Sequence, residues 1–297
     1  MNKIKKLVHA LFYDRNKIKV FLSYKFSKVF SDKHALKKIF KLHFGYELDL
    51  DNPHTFNEKL NWLKLHNHKS EYTIMADKYA VKKYIANIIG DEYIVPCYGA
   101  WKRYEDIDFD RLPNQFALKT NHDSSGATIC KDKKTIDHKR LKTHFNKLLR
   151  RNYFYHLREW PYKNIKPLIL AEELLVDNTS DRLRDYKFWC FNGIPTYMYC
   201  TIKGGDVFEN FYDMDFNPVN ISHGFKRHSP EFCRPVHFNK MRELATKLSK
   251  DIPFVRIDFY EVGDRLYFGE FTFYDWGGMK PFKNKEQDIE LGKLINL

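Results

Sequence analysis

Two acidic residues near the C-terminus have the types and spacing to handle phosphate. Asp258 stands in Phe254-Val255-Arg256-Ile257-Asp258-Phe259-Tyr260, and Glu270 in Leu266-Tyr267-Phe268-Gly269-Glu270-Phe271-Thr272-Phe273. Both stretches alternate apolar and aromatic residues with polar ones, the period of a β-strand. Glu261-Val262-Gly263-Asp264-Arg265 between them has the composition of a hairpin loop. A hairpin sets the two acids against each other on neighbouring strands, with Arg256 and Thr272 on the same face, because side chains alternate. Two hard oxygen ligands on a rigid sheet beside a cation suit Mg2+ held against nucleotide phosphates.

Other residues could serve the same chemistry. Lys119 ends the strand-like Phe116-Ala117-Leu118-Lys119-Thr120, ahead of the small-residue loop Asn121-His122-Asp123-Ser124-Ser125-Gly126. One ammonium and several backbone N–H groups then face a polyanion, and Gly126 permits close approach. The plainer reading is a hairpin turn with a solvated lysine, and taken alone it leads. Asp185, Lys187 and Trp189 share one strand face, so Lys187 is a second phosphate cation or half of an edge-strand ion pair. Glu172-Glu173-Leu174-Leu175 reads as a solvated strand end, or as a crossover whose backbone bonds adenine, with Asp177 near the ribose hydroxyls. Asp213-Met214-Asp215 is an Asp-x-Asp of the kind nucleotide-sugar transferases use to hold an ion; a turn before Asn217-Pro218 is the stronger reading. Of the thirteen histidines only His122 lies in a candidate site, and a lone histidine is more often structural. A P-loop and a Gly-x-Gly-x-x-Gly fingerprint are both missing.

The positioning elements follow from local pattern. Residues 1–70 read as helical and charged, with Thr55 and Glu58 forming a capping box after Pro53. A helix is predicted over 75–90, closing at Gly90, then a short strand at Tyr93-Ile94-Val95-Pro96. Strands follow at 116–120, 129–131 and 168–175, with a basic helix over 137–155. Asn192-Gly193 joins two strands within 184–202, the strongest hairpin signal in the chain. A strand at 208–212 and a helix at 238–248 precede the carboxylate hairpin.

Composition excludes several classes. The 297 residues are 43% hydrophobic and 16% aromatic, which favours a globular core over disorder. No apolar run is long enough to cross a bilayer, and no signal peptide with a cleavage site is seen. Five cysteines with no Cys-x-x-Cys spacing disfavour zinc and a disulfide framework and fit a reducing compartment, so the cytoplasm is expected. Residues 1–41 hold eleven lysines and one arginine against Asp14 and Asp32, a net +10 of the chain's +13. Ile4, Leu7, Val8, Leu11 and Phe12 make one apolar helix stripe within it. That helix either packs on its own domain, the favoured reading, or leans on anionic lipid at the inner face of the membrane. Nucleic acid is not expected as a partner: the basicity sits in one segment, without a zinc-finger or RRM signature.

The order of the pieces resembles the ATP-grasp superfamily, in which two α+β lobes with antiparallel sheets clamp ATP. Ala76-Asp77-Lys78-Tyr79-Ala80-Val81, Phe116 to His122, Asp185-Tyr186-Lys187-Phe188 and Phe268 to Tyr274 look like the branch associated with teichuronopeptide biosynthesis and other surface polysaccharides. The resemblance covers roughly residues 50–297. It implies an α+β fold divided into a basic helical segment (1–50), a helical or αβ region (51–100), a small lobe (101–170) and a large lobe with the Mg2+ site (171–297). It places Lys119 on the α- and β-phosphates, Ser124, Ser125 and Gly126 in the covering loop, and Glu172, Glu173 and Leu175 at the adenine hinge with Asp177 nearby. Lys187 becomes a further phosphate lysine, Arg256 the arginine on the transferred phosphate, and Asp258 and Glu270 the metal ligands, with Thr272 beside them. Thr272 departs from the family's Glu-x-Asn pattern, and Asp123 puts a negative charge where glycine would suit phosphate better.

The activity so implied is an ATP- and Mg2+-dependent carboxylate–amine ligase working through an acyl phosphate. The expected acid is a uronic-acid-containing glycan or its nucleotide- or lipid-linked precursor, and the amine is an amino acid. A sugar kinase would use the same phosphate-handling residues. A glycosyltransferase built on Asp213 and Asp215 is the alternative of a different class.

Overall fold

The computed structural model describes residues 29–124, 127–176, 183–202 and 208–297. The apolar stripe from Ile4 to Phe12, the loop residues Ser125 and Gly126, and Asp177 lie outside the described residues.

The N-terminal helices are set by caps. Helix α1 (Asp32–Phe44) starts where the Ser31 hydroxyl accepts from the His34 N–H and stops at left-handed Gly45. Helix α2 (Phe56–His66) opens on the predicted capping box of Thr55 and Glu58. The single helix predicted over 75–90 is instead two, α3 (Glu71–Ala76) and α4 (Ala80–Ile89). Asp77 breaks it: its backbone is extended, and its carboxylate accepts from the N–H groups of Tyr79 and Ala80, which restarts the helix. The strand predicted at 93–96 lies further on, as β1 (Cys97–Trp101). Pro96 cannot donate to a ladder, so pairing starts after it.

Strands β1, β4 (Ile169–Glu172), β2 (Phe116–Thr120) and β3 (Thr128–Cys130) form a four-stranded antiparallel sheet in that order. Helix α5 (His138–Leu149) covers it through Phe145 and Leu148, which share a core with Phe116, Leu118 and Ile169. The basic helix predicted over 137–155 ends early, and a short second helix, α6 (Phe154–Leu157), follows.

A six-stranded antiparallel sheet runs β10-β9-β5-β6-β7-β8. It is built from β5 (Arg184–Phe191), β6 (Ile194–Ile202), β7 (Asn210–Tyr212), β8 (Pro218–Val219), β9 (Phe254–Val262) and β10 (Arg265–Thr272). Asn192 and Gly193, at φ 49° and 83°, make the predicted β5–β6 turn. The carboxylate hairpin turns on Gly263-Asp264 alone, tighter than the five-residue loop expected, because β9 extends two residues and β10 one residue into it. Helix α7 (Phe238–Leu248) lies against this sheet. Phe56, Leu60 and Leu63 of α2, with Val81 and Ile85 of α4, join the same core. Helix α8 (Lys285–Lys293), not anticipated from sequence, packs on α2, where Asp288 accepts from the Asn57 backbone and side chain. The expected α+β class, with two antiparallel sheets, is observed. Among the described residues no helix is long and apolar enough to cross a membrane.

Candidate functional site

Register places the acids. Glu270 stands opposite Asp258, and Thr272 opposite Arg256, across the β9–β10 ladder. Lys187 stands opposite Asp258 from the other side, on β5. The β9–β10 register shifts between Phe268 and Glu270, leaving Gly269 as the extra residue of a bulge. A Cβ on Gly269 would lie 3.0 Å from the Asp258 carbonyl oxygen, a contact that a larger residue could make only if β9 or β10 shifted by a few tenths of an ångström.

Arg256 is the hub. Its Nε donates to Asp258 Oδ1 at 2.7 Å and Nη2 to Asp258 Oδ2 at 2.8 Å, a bidentate pair. Nη2 also reaches Glu270 Oε1 at 3.3 Å, and Nη1 reaches Asp275 Oδ1 at 2.5 Å and the Tyr199 hydroxyl at 3.2 Å. The Lys187 ammonium joins Asp258 Oδ2 at 2.5 Å to Asp185 Oδ2 at 2.6 Å. Asp258, Asp185 and Asp275 are buried, and Lys187 and Arg256 nearly so. Burial pushes the Asp258 carboxyl up, against the pull of Arg256 and Lys187. Burial also opposes the charge of Arg256, but Asp258, Tyr199 and Asp275 outweigh it and hold the guanidinium well above its ordinary value.

Asp275 was not expected from sequence. It begins a short turn, Asp275–Gly278, in which Trp276 adopts a left-handed φ of 48°. Helix α2 braces that turn: Asn61 Nδ2 donates to the Gly278 carbonyl at 2.8 Å, and the Lys64 ammonium to that of Gly277 at 2.5 Å. Asp275 Oδ2 is buried with no hydrogen-bond partner. This donor set fits a hard divalent cation: it offers carboxylate oxygens, one of them unsatisfied, around one pair of facing strands. Among the described residues no three His, Cys, Asp or Glu side chains form a metal-holding group by themselves.

The four-stranded sheet brings a second group of charges. Lys119 on β2 ion-pairs with Glu172 on β4, and Lys82 of α4 bonds the other Glu172 oxygen at 2.8 Å. Burial works against the charge of Glu172, yet Lys119 and Lys82 prevail and keep its carboxyl below the usual range. Glu173 and Leu175 follow, half-buried, and the Glu173 N–H bonds the Pro96 carbonyl at 2.9 Å. Ser124 is exposed and bonds the Tyr153 hydroxyl. Lys78, missed as a site residue although it lies in one of the recognisable stretches, ties the two sheets together. Its ammonium bonds the Asp123 carbonyl in the loop after β2 and lies 3.8 Å from Glu270 on β10. Burial pushes that ammonium down, and Glu270 pulls it back.

Two other candidates have structural duties. His122 is buried, with Nδ1 on Asn121 and Nε2 on the Leu148 carbonyl. Asp213 caps its own turn, accepting from the N–H groups of Asp215 and Asn217 and from the Asn217 amide. A cavity of about 440 Å³ lined by Lys33, Leu50, Asp51, Trp62, Leu65 and His66 contains none of the predicted site residues.

Residues 58–296 match the family model for TupA-like ATPgrasp. No curated protein matches the chain. Among solved structures the chain is similar to a D-alanine–D-alanine ligase from Bacillus anthracis complexed with ATP, at 14% identity and a TM-score of 0.39, over 67% of this chain and 53% of that one. It is also similar to a RimK domain protein ATP-grasp from Sphaerobacter thermophilus (9% identity, TM-score 0.44, 75% of this chain and 68% of that one). A third is a D-alanine–D-alanine ligase from Helicobacter pylori (13% identity, TM-score 0.41, 81% and 69%). The chain thus spans about half the length of the Bacillus anthracis ligase in its ATP complex.

Proposed function

Because the chain belongs to the TupA-like ATP-grasp family, we propose that it is an ATP- and Mg2+-dependent carboxylate–amine ligase. The observation that carries this reading is the convergence of Lys187, Arg256, Asp258, Glu270 and Asp275 on one face of β5, β9 and β10. Cations and oxygen donors interleaved on a rigid sheet are what phosphoryl transfer needs, since the protein's share of that chemistry is positioning and charge stabilisation.

A substrate carboxylate attacks the γ-phosphate of ATP, giving an acyl phosphate and ADP, and an amine then displaces phosphate to form the amide. The first step brings anions together. Lys119 on the α- and β-phosphates, with Lys187, Arg256 and Lys78 beside Glu270, offsets that repulsion and orients the in-line displacement. Asp258 and Glu270, with the Thr272 hydroxyl next to them, would hold Mg2+, which supplies further charge neutralisation when bound. Magnesium commonly takes one or two protein carboxylates and completes its shell with phosphate oxygens and water. Glu172, Glu173 and Leu175 stand at the adenine end in this reading, and Ser124 with Ser125 and Gly126 covers the phosphates.

The acid is a uronic-acid-containing glycan or its precursor and the amine an amino acid, an assignment that follows the surface-polysaccharide resemblance. ATP chemistry on such a precursor fits a cytoplasmic protein. Glu270→Gln tests the site. The variant should melt like the parent, lose the stabilisation given by Mg-ATP, and release no ADP with the acid substrate; full ADP release would remove Glu270 from the site. A melting shift with a UDP-sugar in place of Mg-ATP, abolished by Asp213→Asn, would favour a glycosyltransferase instead. Hydroxylamine trapping of an acyl phosphate separates ligase from kinase.

A further inference from the structure

Trp276 takes no part in that assignment, yet it is the residue next to Asp275. Of the chain's five tryptophans it alone is exposed, at 38%. A single exposed apolar side chain needs no explanation by itself. This one stands in a left-handed backbone, φ 48° and ψ 27°, which a bulky residue rarely adopts. The strain is held in place by the surroundings. The Gly277 N–H bonds the Tyr274 carbonyl at 2.8 Å, and the Met279 N–H bonds the Trp276 carbonyl at 3.2 Å. Helix α2 grips the carbonyls of Gly277 and Gly278.

The indole lies over the sheet face that carries the transfer centre. Asp258, Lys187, Tyr199 and Phe211 stand opposite one another in turn on β9, β5, β6 and β7, one row across one face. His223 lies by Phe211, with ring centroids 6.3 Å apart, and Trp276 lies by His223, at 6.4 Å. His223 is a rigid support. Glu209 Oε1 is 2.8 Å from its Nδ1, Glu209 Oε2 accepts from its backbone N–H at 2.9 Å, and its ring stacks on Phe282 at 4.3 Å. Phe225 stacks on the indole at 5.0 Å with 28° between the planes, and the Lys280 ammonium stands 4.5 Å from the centre of the Phe225 ring. Lys280 enters no ion pair among the described residues. Indole, phenyl and ammonium thus form a ladder that begins at the residue next to Asp275.

We propose that Trp276, Phe225 and Lys280 bind an acidic sugar residue of the acceptor, the neighbour of the one whose carboxylate reacts at Arg256. The inference deepens the ligase reading above and rests on it for the reaction. The C–H bonds on one face of a pyranose ring are apolar and faintly positive, so that face packs on the negative face of an indole. The Lys280 ammonium supplies the countercharge that a uronate carboxylate needs. A tryptophan already fixed by its turn loses little freedom when the sugar arrives. The platform adds binding that a single sugar at the transfer centre lacks, so an oligomeric acid is preferred to a monosaccharide.

The test titrates the full chain with trigalacturonic acid, its methyl ester and galacturonic acid, with and without saturating Mg-AMP-PNP, and reads tryptophan fluorescence and thermal melts. Trigalacturonic acid should change the fluorescence and bind at least about tenfold more tightly than galacturonic acid or the methyl ester, the margin expected for a charged hydrogen-bond partner. Trp276→Gly, which suits the left-handed backbone, should keep the Mg-AMP-PNP shift, lose the fluorescence change and bind the trimer at least about tenfold more weakly. Trp276→Tyr should restore part of that binding. Lys280→Gln should weaken binding of the trimer and leave that of the methyl ester unchanged. No trimer binding by the parent, trimer binding by Trp276→Gly equal to the parent's, or equal binding of trimer and methyl ester would overturn the inference while the nucleotide site stands. Should Trp276→Gly fail to fold, Lys280→Gln decides, and unchanged trimer affinity there overturns the inference. A missing Mg-AMP-PNP shift in the parent would instead sink the ligase reading, and trimer binding without nucleotide would still decide whether the sugar site exists.

Discussion

Arg256 holds Asp258 in two hydrogen bonds, and Lys187 adds a third. All three side chains are buried or nearly so, which makes the cluster sensitive to loss of one charge. Asp258→Asn keeps the shape but leaves two neighbouring cations without their shared anion. Breaking a buried pair in this way costs about 3–5 kcal/mol, so denaturant unfolding should show a loss of that order. A loss below about 1 kcal/mol would mean the charges are better solvated than their burial indicates. Glu159 behaves in the opposite sense. Its carboxyl is raised from 4.5 to about 7 in the folded protein, so the folded state keeps a proton that the unfolded chain has released. The stability from this group is full below the unfolded value and is lost as pH rises to about 7. Lys64, lowered from 10.5 to about 7, acts the other way: stability tied to it rises with pH above 7. Glu159→Gln removes the first effect. Its stability relative to the parent should therefore increase between about pH 5 and about pH 8, measured by chemical denaturation at each pH. A flat difference would show that Glu159 is ionised throughout.

At the scale of the element, the β9–β10 hairpin decides where the acids point. The bulge at Gly269 shifts the register so that Glu270 and Asp258 meet directly. A methyl at Gly269 would stand 3.0 Å from the Asp258 carbonyl oxygen and 3.2 Å from the Asp258 Cβ. Gly269→Ala crowds Asp258 and asks β9 and β10 to shift slightly, an overpacking that costs about 1–3 kcal/mol where the neighbours cannot give. The expected outcome is a modest fall in melting temperature with a disproportionate loss of Mg-ATP stabilisation, because the displaced residue is Asp258 itself. Unchanged nucleotide stabilisation would mean that the acids need not face each other. The turn after β10 is positioned differently. Its carbonyls at Gly277 and Gly278 are held by Lys64 and Asn61, so α2 sets the position of Asp275 and through it one side of Arg256. Asn57, Asn61 and Lys64 form a buried polar stripe one helical turn apart.

In the whole molecule, Lys78 is the visible link between the four-stranded sheet and the six-stranded one, through the loop after β2 and Glu270. If one nucleotide engages Lys119 on the first sheet and Arg256 on the second, its binding orders both. Hydrogen exchange should therefore slow in β2–β3 and in β9–β10 together when Mg-AMP-PNP is added. Protection confined to one sheet would rule out a shared site. How far the sequence foretold this depends on the range of the interactions. The alternation in 254–273 and the Asn192-Gly193 turn were legible because strand period and turn chemistry are local. They already put Arg256 beside Asp258 and Glu270 beside Thr272, and the Gly269 bulge turns the two pairs to one face. The single helix expected over 75–90 failed at Asp77, where a side-chain bond to the backbone outweighs helical pattern. The strand expected before Pro96 failed because proline cannot pair there. The α+β class is thus written in local periodicity, while the facing of the acids also needed the bulge at Gly269. Asp275 on Arg256, Lys78 between the sheets and Glu159 near Lys64 join segments far apart in the chain. No repeat of two or 3.6 residues links them, and only the packing of α2, α6 and the two sheets brings them together.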